Sequence, residues 1–110
     1  MVYFIQGEIT RRIKIGFTSR DTIINRLSSI QSNCSEKLSI LGIISGASVK
    51  EEHFIHKRFK ESRIIGEWFI ETLDLLKFIE DSTNSKVDYK SFYKTEFQSN
   101  HNLLYSHRTN

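Results

Sequence analysis

Tyr3, Lys14, Arg26 and Glu52 are the side chains of this 110-residue chain whose types and positions point to chemistry. An ionised phenol accepts a proton, an ammonium and a guanidinium hold phosphate oxygens, and a carboxylate gives an oxygen ligand to a hard divalent cation. Cleavage of a phosphodiester asks for those four groups. Each also has an ordinary use. Tyr3 can fill a strand, Lys14 can lie on the solvent side of an edge strand, Arg26 can snorkel from a helix, and Glu52 can be a solvated helix charge. Helical phase argues for more than that. Arg26 follows Ile23 by three and precedes Ile30 by four, so it lies beside an apolar stripe, and Glu52 precedes Ile55 by three.

The elements that must position these groups follow from hydrophobic periodicity. Residues 2–6 and 11–18 are β-branched and aromatic runs joined by a short polar connection with Gly7, which predicts an antiparallel hairpin. Ser19 or Asp21 can cap a helix over 21–31, whose buried face is Ile23, Leu27 and Ile30. The run 38–45 alternates little, which predicts a third strand buried on both faces and central in its sheet. Ser48 caps a second helix over about 48–62, with Glu52 the odd member of its Ile55 and Phe59 stripe. Gly66, a short extended segment at 68–70 and a last helix to about Asp81 complete the order. The fold class is α+β, a ββαβα core around a three-stranded, mainly antiparallel sheet flanked by helices, with a short strand and helix added.

Composition bounds the rest. Hydrophobic residues at 38% and charged residues at 26% suit one packed domain, expected over 1–81. Residues 82–110 read as a polar, partly disordered tail, in which Lys86, Lys90, Lys94 and Arg108 against Asp88 and Glu96 supply two of the three net positive charges. Scattered aromatics there suit either a frayed terminus or stacking on a single strand. The formal charge of +3 and pI near 9.1 favour a polyanionic partner modestly. Apolar runs are too short to span a bilayer and no secretory segment leads the chain, so an intracellular protein is expected. Cys34, the single cysteine, excludes an internal disulfide. His53 and His56 lie three apart, but no third ligand is evident nearby and zinc is discounted.

The residues also resemble the GIY-YIG nuclease superfamily, most closely the small branch named after a T5 phage reading frame and its meiotically up-regulated relatives. Met1, Val2 and Tyr3 stand at the first tripeptide; Lys14, Ile15 and Gly16 stand at the second, continuing as KIGFTSRD. Arg26 within RLSSIQ matches the helical arginine, and Glu52 within EEHFIHKRF matches the metal-binding glutamate. His56, Phe59, Arg63 and the Gly66 to Phe69 segment fit the way the branch ends its core, so the likeness covers residues 1 to about 80. Lys14 stands where many members have tyrosine, and Glu67 sits near where several carry asparagine.

The resemblance implies an endonuclease in which Tyr3 is the general base, Lys14 an activator or phosphate contact, Arg26 the transition-state stabiliser and Glu52 the ligand of one Mg2+ or Mn2+. It implies nucleic-acid contacts through Lys14, Gly16, Arg20, Arg26 and His56, with DNA ahead of RNA and a dimer left open. Two alternatives stand beside it: a non-catalytic nucleic-acid-binding module on the same fold, and a small regulatory protein-interaction domain.

Overall fold

The computed structural model describes residues 1–19 and 22–83. Arg20, Asp21 and residues 84–110 lie outside the described residues, and with them the Arg20 contact and nearly all of the expected tail. β1 (Val2–Gly7) and β2 (Ile13–Phe17) form the expected antiparallel hairpin, with Tyr3 opposite Gly16 and Ile5 opposite Lys14. Arg11, at a φ of 64°, carries the left-handed residue of its connection. Then come α1 (Ile23–Gln31), β3 (Leu38–Ile44), α2 (Val49–Arg58), a 3-10 turn (Lys60–Ser62), β4 (Arg63–Ile65), β5 (Trp68–Phe69) and α3 (Leu73–Ser82).

The sheet has five strands in the order β3-β1-β2-β5-β4, where the sequence predicts a three-stranded core. β4 and β5 form a second, very short hairpin turned at Gly66, whose φ of 56° suits a residue without Cβ. It adds to the free side of β2 through Ile13 and Lys14. β3 is an edge strand, correcting the central placement expected for it; β2 is central, and the wholly buried strand is its neighbour β1, paired on both sides. The sparse alternation of β3 arises because helices pack on both of its faces, α1 on one and α3 on the other.

Period-two alternation in the first hairpin sorts its side chains into two cores. Tyr3 and Ile5 face α1 and cluster with Ile23, Leu27, Leu38, Ile40 and Ile43. Phe4, Ile13 and Ile15 face the other way and cluster with Ile55, Phe59, Phe69, Leu75 and Ile79. The caps are local. Thr22, one residue beyond Asp21, caps α1 by accepting from the Asn25 N–H, and Ser48 with Glu51 forms a capping box on α2. α2 ends at Arg58, short of the expected residue 62, because its last turn tightens into the 3-10 segment that leads into β4.

Candidate functional site

Groups from the two helical layers come together beside the short strand β5. β5 is two residues long and covers β2 no further than Lys14. Beyond it, the Ile15 N–H donates to the Glu67 carbonyl at 2.9 Å, and the Ile15 carbonyl lies 2.8 Å from His56 Nε2. This gap in the sheet lets groups from α2, on one face, approach groups from β1 and α1 on the other.

Tyr3 comes from the first face. Its residue is 3% exposed, and its ring crosses the backbone of Gly16 so closely that a Cβ there would lie 2.3 Å from Cζ and Oη. No side chain fits between strand and phenol, which is why the position opposite Tyr3 is glycine. Burial pushes the phenol up to about 12; the Glu67 carboxylate adds to the rise, the Arg26 guanidinium opposes it, and Glu52 adds a smaller increment. Three elements distant in sequence therefore converge electrostatically on one oxygen.

Arg26 arrives from α1, partly buried, with Nη2 donating to the buried Thr18 hydroxyl at 3.3 Å. Glu52 arrives from the first turn of α2 and is 6% exposed. Burial raises its carboxyl, and a hydrogen bond and charge repulsion from Glu67 raise it further, while His56 and His53 pull it down. Glu52 Oε2 is 3.9 Å from His56 Nε2. That imidazole also bonds the Ile15 carbonyl and packs edge-on to Phe69 at 5.0 Å, so it pins α2 to the sheet beside the site.

Lys14 is the sequence-predicted residue whose surroundings differ most from expectation. Its ammonium pairs with Glu67 Oε1 at 3.1 Å, and the cation that lowers the Tyr3 phenol is Arg26. Glu67 itself is the member that sequence reasoning passed over, visible there only as a departure from asparagine. It links Lys14, Glu52 and Tyr3 at once. What could have exposed it is the register Lys14 to Trp68, which sets residue 67 beside the second tripeptide.

The cluster thus offers a phenol, a guanidinium and two carboxylates that act on one another, with the Lys14 ammonium paired to one of the carboxylates. A hard cation suits the Glu52 and Glu67 oxygens, since positive charge would relieve the repulsion between them. No helix among the described residues is long and apolar enough to cross a membrane. A family model described as the T5orf172 domain matches residues 1–83. No curated protein and no solved structure matches the chain.

Proposed function

The chain belongs to the T5orf172 domain family, which is related to the GIY-YIG nucleases, and on that premise we propose that it is a metal-dependent endonuclease acting on nucleic acid, DNA ahead of RNA. The observation that carries the reading is the convergence of Arg26, Glu52 and Glu67 on the Tyr3 phenol. A buried tyrosine serving only the core would not need a guanidinium and two carboxylates around its oxygen.

Tyr3 is the general base. It takes a proton from the attacking water as that oxygen bonds phosphorus and the bond to the leaving sugar oxygen breaks. In the resting protein the phenol, pushed up to about 12, is protonated at neutral pH. To act, the phenol must first give its own proton to solvent, which burial opposes most and which charge compensation of Glu67 and Glu52 would favour. Arg26 already favours the phenolate, and its planar fork would hold a nonbridging phosphate oxygen and stabilise the charge that grows there. Lys14 is a phosphate contact that exchanges Glu67 for substrate. Glu52, with Glu67 beside it, would hold one Mg2+ or Mn2+, whose chemistry when bound is to stabilise charge on the leaving oxygen.

The raised phenol also favours a second reading, a non-catalytic nucleic-acid-binding module on the same fold. Supercoiled plasmid and a labelled single strand, incubated with Mg2+ or Mn2+ and the native chain, Glu52→Ala or Arg26→Ala, separate the two. Metal-dependent cutting that both substitutions abolish supports the nuclease; binding without cutting, unchanged by Glu52→Ala, supports the module.

A further inference from the structure

We propose that a groove between β2 and the C-terminal half of α1 holds the phosphate two along from the scissile one on the same strand, with Arg12 as its main contact. This deepens the phosphodiesterase reading and rests on it. The groove has a volume of about 300 Å³, and its walls include Arg12, Lys14, Trp68, Ser29, Asn33 and Cys34. Two cations and no carboxylate line it, with their partner carboxylates Glu36 and Glu67 outside the lining, so an entering phosphate meets N–H donors first.

Arg12 is held before any ligand arrives. Its Nε lies 3.3 Å from Glu36 Oε2, its guanidinium lies over the Trp68 ring at 4.4 Å, and its Nη2 reaches to 4.0 Å from Cys34 on the groove wall. Glu36 is in turn fixed at 6% exposure by the Ile9 and Thr10 N–H groups and the Thr10 hydroxyl. A guanidinium braced at one edge and stacked on an indole loses little freedom when its remaining N–H groups take a phosphate. Trp68 serves here as a platform for cations, since Lys14 Nζ also lies 5.4 Å from its ring.

Register gives the direction. Arg12, Lys14 and Gly16 point to one side of the hairpin, the side on which the Tyr3 phenol crosses Gly16. At a rise of roughly 3.3 Å per residue, Lys14 stands midway along a line of about 13 Å from Arg12 to the phenol. A strand whose reacting phosphate is at Tyr3 and Arg26 has its next phosphate at Lys14 and the one after that at Arg12.

The test is equilibrium binding of the full chain, in EDTA, to oligothymidylates carrying one, two or three phosphates, for the native protein, Arg12→Gln and Asn33→Asp. For the native chain the third phosphate should tighten binding about tenfold, as a charged hydrogen bond does, and steepen the salt dependence by about 0.7 in log–log slope. Both gains should vanish in Arg12→Gln, and also in Asn33→Asp, which puts a carboxylate on the exposed wall without touching the Glu36 pair. A third-phosphate step that persists in both variants would overturn the groove. So would full Arg12 dependence with the mononucleotide and no further gain, which would mark a site for small nucleotides. Cleavage by the native chain in Mn2+ is scored separately: cutting without an Arg12-dependent step overturns this inference alone, and the step without cutting overturns the nuclease reading alone.

Discussion

Gly16→Ala probes the closest contact in the site. Tyr3 and Gly16 are directly opposed in the hairpin, and the added methyl would stand 2.3 Å from Cζ and Oη and 2.7 Å from Cε1. Ordinary contact begins at 3.4 Å, so the phenol must retreat by about 1 Å to regain carbon–carbon van der Waals distance. It has little space for that, because its ring is packed among Ile5, Ile23, Leu27 and Ile43. Overpacking of this kind costs about 1–3 kcal/mol, which for a domain of this size lowers Tm by roughly 5–20 °C. If Tyr3 is the base, a displacement near 1 Å also slows cleavage about 100-fold. Thermal melting followed by circular dichroism and plasmid nicking in Mn2+ read the two effects. A double mutant separates them from a general intolerance of alanine: with Tyr3→Leu the ring is gone, so Gly16→Ala should cost little more. Gly16→Ala with native Tm and native rate would refute the steric argument, and equal destabilisation with and without the Tyr3 ring would refute its assignment to the phenol.

Glu52→Gln should stabilise the metal-free protein at neutral pH while abolishing metal-dependent cleavage. Its carboxyl is raised by burial and by Glu67, so its contribution to stability is complete below the unfolded value of 4.5 and is lost as pH rises through the folded one; an unchanged or lower Tm in EDTA at pH 7 contradicts this. Tyr3→Phe should remove a loss of stability that the native chain suffers between pH 10 and about 12, where the unfolded phenol ionises and the folded one does not. The difference absorbance titration of the two proteins should show one phenol ionising near the upper value. Glu36→Gln should cost about 1–2 kcal/mol in urea unfolding at pH 7, by loss of the Thr10 hydroxyl bond and the Arg12 pair. Burial would raise the Glu36 carboxyl, but hydrogen bonds from Thr10 and Ile9 and the Arg12 charge outweigh it and hold it low. The gap between native and variant should therefore shrink as pH falls through that lowered value, and a constant gap down to pH 2 would exclude the ionised pair as its cause.

The sequence by itself determined what is encoded over short distances. Alternation at Ile13 and Ile15, the Ile23 and Leu27 stripe and the Ser48 cap set the first hairpin and the two helices, and each forms within a residue or two of expectation apart from the C-terminal end of α2. The tripeptide positions legible as Tyr3 and Gly16 become a direct cross-strand pair because a short hairpin leaves little choice of register.

Tertiary structure decided what depends on partners far along the chain. Sequence could not show that β3 lies at an edge, since covering by α1 and α3 produces the same continuous apolar run as a central position. The hairpin of β4 and β5 is too short to have a period, and with it went Glu67, which redirects Lys14 and crowds Glu52. Arg12 and Glu36, separated by 24 residues, likewise pair only once the turn after β1 folds against the segment before β3. The physical reason is common to all three. Local pattern fixes which face a side chain takes, but the charge that stands beside it is set by packing between elements, and that is what tunes the site.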